Sequence, residues 1–448
     1  MRNSSPNRST SPWRLSLAAA LGLLVLFSLG LPPSARAAAI TVCADGCDFT
    51  SLQAAIDSLL LTSGGEIEVR DAFLTEADIQ VTKDVHIRGQ GAQRTIIQAH
   101  AEPGQATRRV FSIAPGVQAT LSNLTIRHGN PKREPESGGG IRNEGVLRLE
   151  NVIVTRNSGS AGGGILSDGT LTLVNSLVSD NGSRGGADPF LECQTGGGIK
   201  LLSGAATLIN TTVSGNQALG KGGGIHVNCE STLELVNSTI SGNTTSESGG
   251  GIHLDGVAHL THATISANTA HSGGGLYIRG TREKGVVRGE LHITNTLIAG
   301  NHATLEKYGV IDCQLTELGS IAANSGNWIE DGNCAPAHSG DALLAPLSDL
   351  AQPGAAGSPE SLALPVHALF PDSPAIDALP VEACAAQTDQ LNTPRPQGKG
   401  CDIGAYEYPN ASTFALIFSP TNLLVAAVLL LVLLAGAAFA RYRKSKTG

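Results

Sequence analysis

Basic residues are scarce between the two ends of this 448-residue chain. Of its 30 Lys and Arg, eight lie in residues 1–37 and 441–448, which leaves 22 basic against 38 acidic residues and a formal charge of −16. Nucleic acids and anionic lipid surfaces are bound through basic patches. The charge balance therefore predicts that the chain does not bind nucleic acid, and it suits solubility or cation binding better.

Two patterns are also missing. Residues 66–310 lack the 3.6-residue period that one helix per repeat would require, which argues against a leucine-rich horseshoe or a helical array. No Cys-x-x-Cys pair, a common mark of a zinc site, occurs among the eight cysteines. In an exported chain this favours disulfides over the alternative of a zinc site. We predict no metal and no other cofactor, and the simplest pairing of neighbours, which is Cys43–Cys47, Cys193–Cys229, Cys313–Cys334 and Cys384–Cys401.

What the sequence does have is a repeat built on glycine. Gly-Gly-Gly followed by Ile or Leu recurs at spacings of 24, 34, 26, 27 and 24 residues, beginning at Gly138, Gly162, Gly196, Gly222, Gly249 and Gly273. Self-similarity at such a period marks a solenoid, in which each repeat contacts its neighbours. A complete unit, residues 222–248, contains a short strand, a turn and then Leu-x-Leu-x-Asn. The Leu-x-Leu alternation has the period of a strand with one buried face.

Asparagines form two further columns in the repeat. An Asn at a corner tolerates left-handed backbone angles, and amides stacked between coils can bond to one another. We predict that the first column is a structural ladder, interrupted once by His262: Asn123, Asn151, Asn175, Asn210, Asn237 and Asn295. The second column follows six residues later: Asn157, Asn181, Asn216, Asn243, Asn268 and Asn301.

These short strands, glycine corners and asparagine columns resemble the right-handed parallel β-helix over residues 66–310. The resemblance implies an all-β, single-stranded solenoid. Solenoid ends need caps, and residues 47–61, CDFTSLQAAIDSLLL, look like the N-terminal capping helix of pectinesterases. We expect this cap to occupy residues 38–65, with Thr50 and Gln53 as its capping box.

After the repeats, residues 311–409 resemble the bacterial choice-of-anchor Q region. The strongest matches are Ser-Pro-Ala-Ile-Asp at 373–377 and Cys-Asp-Ile-Gly-Ala-Tyr-Glu at 401–407, whereas Leu391 and Asn392 stand where the family usually has Arg-Gly. The resemblance implies a bacterial protein attached to the envelope, and it implies no reaction. We expect this region to form a C-terminal cap.

The two ends of the chain predict the cellular location of the protein. Residues 1–37 have the basic start, apolar run and Ala-Arg-Ala site of a secretory signal, with an uncleaved membrane anchor as the alternative. Residues 414–440 are apolar and long enough to span a bilayer, and four basic residues follow in the tail 441–448. The positive-inside rule then puts the tail in the cytoplasm. We predict a single-pass protein of the cell membrane, with residues 38–409 outside the cell.

Residues after each glycine triplet alternate between inside and outside, which identifies two outward columns. On adjacent coils these columns bring imidazoles, an acid, a phenol and a guanidinium together. Outward positions are polar in any solvated sheet, so the group is no more than a candidate ligand face: His226, Asn228, His253, Asp255, Tyr277 and Arg279. A single Ca²⁺ held by Asp188 and Glu192 in the insert 182–195 is an alternative ligand site.

No motif in the sequence resembles the paired Asp and Gly-His-Gly of polygalacturonases or the acidic calcium cluster of pectate lyases. The GGGI and Ser-x-Asn elements are instead similar to the repeats of chlamydial polymorphic outer-membrane proteins, which implies an adhesive role by analogy. We predict a surface protein without enzymatic activity, whose partner is an extracellular polysaccharide or another cell surface. The alternative is a polysaccharide lyase or hydrolase that acts on extracellular uronate-containing polymers.

Overall fold

The computed structural model describes residues 39–59, 64–132, 137–184, 195–283, 286–305, 311–349 and 362–409. From Ile40 onward these belong to one compact unit. The predicted signal (1–37), membrane span (414–440), cytoplasmic tail (441–448) and calcium ligands Asp188 and Glu192 all lie outside the described residues. Within the described ranges, the structure contains no helix with the length and apolarity to cross a bilayer.

The chain winds through parallel strands that stack on three faces, so the all-β parallel β-helix is confirmed. Face 1 starts after the glycine triplets and consists of Ile79–Val81, Phe111–Ile113, Ile141–Asn143, Ile165–Ser167, the first residues of Ile199–Ile209 and of Ile225–Val236, Ile252–Leu254, Leu276–Ile278 and Cys313–Leu315.

Face 2 carries the Leu-x-Leu pattern. It consists of Ile40–Val42, Gly65–Val69, Val85–Arg88, the first halves of Gln118–Arg127 and Val146–Thr155, Thr170–Val174, the last residues of Ile199–Ile209 and Ile225–Val236, Val257–Thr261, Glu290–Thr294 and Ser320–Ser325.

Face 3 follows the first asparagine column. It consists of Phe73–Thr75, Ile96–Gln98, the second halves of Gln118–Arg127 and Val146–Thr155, Leu177–Ser179, Thr212–Ser214, Thr239–Ser241, Thr264–Ser266, Leu297–Ala299 and Trp328–Ile329.

Smaller elements complete the fold. Two antiparallel pairs join Thr281–Glu283 to Val286–Arg288 and Ser348–Asp349 to Pro365–Val366, and Val381–Ala383 is a 3-10 turn. A fourth sheet of two-residue strands lies between face 3 and face 1: Ser158–Gly159, Gly182–Ser183, Gln217–Ala218, Thr244–Thr245, Thr269–Ala270 and His302–Ala303. Parallel pairing starts at Ile40 and ends at Ile329, so the β-helix extends beyond the predicted limits of 66–310.

The core is a stack of aliphatic side chains inside the coils. In face 2 the second Leu of each Leu-x-Leu pairs with its equivalent in the next coil, as Leu149 with Leu173 and Leu208 with Leu235. All four side chains are fully buried. Stacking identical shapes at the strand spacing of about 4.8 Å fills the interior without voids.

The glycine triplets mark the corner before face 1. There the coils approach so closely that a Cβ on Gly163 would lie 2.4 Å from the carbonyl oxygen of Gly182. The first glycine of a triplet has a left-handed backbone, with φ of 68° at Gly222. Both requirements exclude other residues, which explains why the triplet recurs.

The continuous asparagine ladder is the second column, not the predicted first one. From Asn181 to Asn301, each Asn accepts, on Oδ1, the backbone N–H and the side-chain amide of its equivalent in the preceding coil, at 2.9–3.1 Å. First-column residues all have φ between 47° and 56°, and His262 does as well with φ of 49°. Their side chains pair intermittently, as when Asn210 donates to Asn175 at 3.2 Å. The first column therefore shapes the corner, and the second holds the coils together.

The N-terminal cap is the helix Leu52–Ser58. Its buried residues Leu52, Ala55 and Ile56 cover the first coil. The predicted capping box of Thr50 and Gln53 is wrong, because Ser51 is the N-cap residue and its hydroxyl accepts from the N–H of Ala54. The helix thus begins one residue later than expected.

Residues 362–409 lie against the side of the coils, and the expectation that residues 311–409 form a C-terminal cap stays a prediction. They bond to the first asparagine column and to face 3: Asn237 donates to the carbonyl of Thr388 at 2.8 Å, and Ser241 bonds to His367 at 2.8 Å. Three of the predicted disulfides are confirmed: Cys43–Cys47, Cys313–Cys334 and Cys384–Cys401. The pair Cys193–Cys229 stays a prediction, since Cys193 lies outside the described residues.

Candidate functional site

Face 1 places one outward residue of each coil directly over its equivalent in the next coil. The register pairs Lys200 with His226, His226 with His253, and His253 with Tyr277. Strand alternation therefore predicted this column correctly. Asp255 and Arg279 follow the strands Ile252–Leu254 and Leu276–Ile278 at equivalent positions.

Burial of these outward residues corrects the predicted ligand face. His226 and His253 have no exposed surface, and Asp255 is 4% exposed. Tyr277, Arg279 and Asn228 are half-buried. The imidazoles and the carboxylate therefore do not face solvent as an open ligand surface would require.

One carboxylate oxygen lies between the two imidazoles. Oδ2 of Asp255 is 3.1 Å from Nε2 of His226 and 3.3 Å from Nε2 of His253. The first contact is a hydrogen bond, and the second lacks the geometry of one, so Nε2 of His253 has no hydrogen-bond partner among the described residues. On its other side, Nδ1 of His253 bonds to the hydroxyl of Ser248 at 2.9 Å.

Lys200 belongs to this cluster, although the sequence pattern does not single it out. Its side chain is fully buried, and its Nζ lies 2.9 Å from Nδ1 of His226. The available signal is its position, because Lys200 occupies the same outward column one coil before His226. A lysine on an outward column is normally solvated, so that position alone does not predict a buried ammonium group.

The environment sets the charges in the cluster. Burial lowers the pKa of His226 well below its usual range, and the charge of Lys200 lowers it further. Burial also lowers the pKa of His253. Burial acts to raise the pKa of Asp255, but the hydrogen bond from His226 and the nearby His253 outweigh it, and the pKa falls below its usual range. The cluster therefore contains two neutral imidazoles and a carboxylate, with Lys200 donating to Nδ1 and Nε2–H of His226 donating to Asp255.

The remaining predicted residues lie at the edge of the cluster. The ring of Tyr277 stacks on His253 with centroids 5.2 Å apart, and Nε of Arg279 is 3.9 Å from Oδ1 of Asp255. Asn228 instead donates to the carbonyl of Leu202 at 3.2 Å. Five of the six predicted residues thus come together, and Asn228 bonds to the backbone of another coil.

The cluster has the composition of a metal site. Two histidines and a carboxylate offer ligand atoms that all lie within 4.8 Å of one another. The cluster can also act as a fixed hydrogen-bond network, because the positive charge of the Lys200 ammonium group offsets the negative charge of the Asp255 carboxylate. Its burial excludes direct contact with a polymer unless the coils move.

Face 2 has a second outward column that sequence reasoning missed. The stacked rings of His259 and His292 have centroids 4.3 Å apart, and Glu290 lies 2.7 Å from Nε2 of His292. The signal is the residue between the two aliphatic side chains of each Leu-x-Leu. In register these are Arg148, Thr172, Thr207, Glu234, His259 and His292, each exposed or half-buried.

Comparison with known proteins gives one family match. Residues 210–228 and 237–255 match the Chlamydia polymorphic membrane protein (Chlamydia_PMP) repeat. His226 and His253 occupy the same position in these two segments, as do Asn228 and Asp255. The match lies outside residues 311–409, so the resemblance to the choice-of-anchor Q region stays a prediction.

Two solved structures are distantly similar to this chain. Pectate lyase Pel9A is 14% identical, with 80% of this chain and 91% of that chain covered at a TM-score of 0.43. Rice weevil pectin methyl esterase is 14% identical, with 61% of this chain and 92% of that chain covered at a TM-score of 0.29. No curated protein matches the sequence. The β-helix assignment rests on the strand pairing of this chain itself.

Proposed function

We propose that this chain is a cell-surface β-helix protein with a structural or adhesive role, and that it binds an extracellular polysaccharide or another cell surface without cleaving it. The observation that carries the proposal is the burial of His226, His253 and Asp255. Acid–base catalysis on a polymer needs titratable groups within hydrogen-bond reach of the substrate. Here those groups are buried, and His226 is hydrogen-bonded to Asp255.

The outward column of face 2 offers the surface for a ligand. Its strands are parallel, so equivalent side chains repeat at about 4.8 Å along the stack. The stacked imidazoles of His259 and His292 present a flat platform, and Thr207 donates to Glu234 at 3.3 Å beside it. Rings with neighbouring hydroxyl and carboxylate groups suit a sugar, which has both an apolar face and hydroxyl groups.

A location outside the cell is supported by the disulfides. Three are formed among the described residues, and disulfides persist in oxidising compartments. The matched repeat is named for a membrane protein. The apolar sequence 414–440 and the basic tail after it would supply the single membrane span, with the β-helix outside.

The test uses the full-length protein in mild detergent on a panel of uronate-rich and neutral polysaccharides, with and without calcium. Retention on each polymer and the appearance of new chain ends are both recorded. We expect retention without cleavage, reduced at least tenfold in the double variant His259→Ala/His292→Ala. The control Gln217→Ala changes an exposed residue of the fourth sheet and should bind normally.

Three results would each overturn a part of the proposal. Cleavage that is abolished by His253→Ala or Asp255→Ala would establish a polysaccharide lyase or hydrolase. Retention that is equal in the wild type and the double variant would remove face 2 as the binding surface. A chain that neither binds nor cleaves any polymer would refute the glycan ligand, and a protein on another cell would then be the partner to test.

A further inference from the structure

The buried cluster on face 1 holds two imidazole nitrogens against one carboxylate oxygen. His226 and Asp255 come from positions 29 residues apart, and His253 lies on the same coil as Asp255. We propose that His226, His253 and Asp255 bind a divalent transition metal of the zinc type, which ties two adjacent coils together. This inference does not depend on the proposed polysaccharide ligand.

The distances between the ligand atoms fit a tetrahedral ion. Two ligands that are each about 2.0–2.1 Å from a zinc ion, at the tetrahedral angle, lie about 3.3–3.4 Å apart. Oδ2 of Asp255 is 3.1 Å from Nε2 of His226 and 3.3 Å from Nε2 of His253. Two of the separations that a tetrahedral ion requires are therefore present around Oδ2 of Asp255, and the ligand atoms of the three residues all lie within 4.8 Å of one another.

Two polar atoms of the cluster support the assignment independently. Nε2 of His253 and Oδ1 of Asp255 are buried and make no hydrogen bond within the described part of the chain. Buried polar atoms are nearly always bonded, so each unbonded one calls for a partner. An ion beside Asp255 would satisfy Nε2 of His253 as a ligand, and Oδ1 would complete a bidentate carboxylate. These donor atoms together would give the ion four ligand atoms.

The second contact of His253 is compatible with the ligating tautomer. Nδ1 lies 2.9 Å from the hydroxyl of Ser248, which can accept the imidazole proton. With the proton on Nδ1, the lone pair of Nε2 faces Asp255. Metal-binding histidines are usually held in this way by a hydrogen bond to the other ring nitrogen.

The donor set selects the class of metal. Two imidazoles and one carboxylate suit Zn²⁺, Co²⁺ or Ni²⁺. Calcium requires about six to eight oxygen ligands, and this site offers only the two oxygens of Asp255. The site therefore differs in chemistry from the calcium site predicted at Asp188 and Glu192.

Lys200 opposes metal binding and sets its strength. Its ammonium group donates to Nδ1 of His226 at 2.9 Å, which keeps the proton of that imidazole on Nε2. Coordination through Nε2 requires that proton to leave and the contact with Lys200 to change. The positive charge of Lys200 also repels a cation. Replacing Lys200 with a neutral side chain of similar length should strengthen binding.

The experiment uses full-length protein in mild detergent, treated with a chelator and then titrated with Co²⁺. We expect the visible absorption of tetrahedral Co²⁺ to appear with one ion per chain, and Zn²⁺ to displace it. His253→Gln should weaken Co²⁺ binding at least tenfold, and Lys200→Met should tighten it at least threefold. His100→Ala removes an exposed imidazole outside the site and should bind like the wild type.

A folding defect is separated from the loss of a ligand by circular dichroism and by the thermal midpoint of each metal-free variant. The conservative Asp255→Asn provides a second test, because it keeps the shape and removes the charge. Absence of tetrahedral Co²⁺ absorption in both the wild type and Lys200→Met would overturn the proposal. Equal affinity in the wild type and a folded His253→Gln would overturn it as well.

Discussion

Asn301 donates both its backbone N–H and its side-chain amide to Oδ1 of Asp312, at 2.9 and 2.8 Å. Asp312 therefore occupies the position that an Asn has in every preceding coil of the ladder, and it is fully buried. Its second oxygen lies near Asp331, whose own carboxylate accepts from the N–H of Asp312 at 2.8 Å. An acid ends the ladder where an amide would have continued it.

The charge of Asp312 should make the protein less stable as pH rises. Burial raises the pKa of Asp312 to about 7, helped by Asp331 and Glu330, while the bonds from Asn301 act to lower it. A pKa above the unfolded value means that protonation stabilises the fold. This contribution is fully present below about pH 4 and is lost as pH rises through about 7.

The free energy of unfolding of the wild type should fall by up to about 4 kcal/mol between pH 4 and pH 8 because Asp312 ionises. Asp312→Asn has no carboxyl group to ionise, so much of this fall should disappear in the variant. Urea midpoints at four pH values measure it, with the exposed Asp372→Asn as the control for a change of net charge. A wild type with equal stability at pH 4 and pH 8 would contradict the assignment of Asp312.

The second asparagine column should carry a large part of the stability. Oδ1 of Asn243 accepts from the N–H and the amide of Asn216, and its own amide donates to Asn268 and to the carbonyl of Val213. Asn243→Ala leaves these buried groups without partners, so we expect a loss of about 3 kcal/mol. The exposed neighbour Thr244→Ala should change stability by less than about 0.5 kcal/mol. Chemical unfolding of both variants measures these losses. Equal unfolding midpoints would show that the ladder adds nothing to the stability of the protein.

The close approach of coils at the glycine corner gives a matched pair of variants. A Cβ on Gly163 would meet the backbone of Gly182 at 2.4 Å, whereas a Cβ on Gly182 would meet nothing within 4 Å. Gly163→Ala should therefore destabilise the protein by about 3 kcal/mol or more through overpacking. Gly182→Ala should be nearly neutral. Thermal unfolding compares them, and the interpretation fails if Gly163→Ala is the milder change.

The disulfide Cys384–Cys401 should hold residues 362–409 in place against the coils. It closes 17 residues, and loop-closure entropy predicts a contribution of about 3 kcal/mol. Cys43–Cys47 closes only 4 residues and should contribute about 2 kcal/mol. We expect Cys384→Ser/Cys401→Ser to lower the thermal midpoint more than Cys43→Ser/Cys47→Ser, and to expose 362–409 to limited proteolysis. A larger loss of thermal midpoint in Cys43→Ser/Cys47→Ser would show that the Cys384–Cys401 disulfide is not what holds residues 362–409 in place.

The repeat is readable from the sequence because its signals are local. The glycine triplets and the alternation that follows them fix which residues point inward on face 1, so the sequence alone predicts the register that stacks Lys200, His226 and His253. Left-handed angles at the first asparagine column follow from the residue type. The N-cap residue does not follow from the residue type, because Thr50 and Ser51 are equally suited. Only the helix geometry selects Ser51.

The sequence by itself determined the winding of the chain. Glycines, alternating aliphatic residues and asparagines each favour a particular backbone conformation, and each does so within a few residues. Tertiary structure alone decided which asparagine column is continuous and whether an outward side chain meets solvent. Burial depends on everything packed around a residue, and that information is spread over the whole chain. For this reason His226, His253 and Asp255 follow the same strand alternation as exposed residues, and yet they form a buried cluster with Lys200.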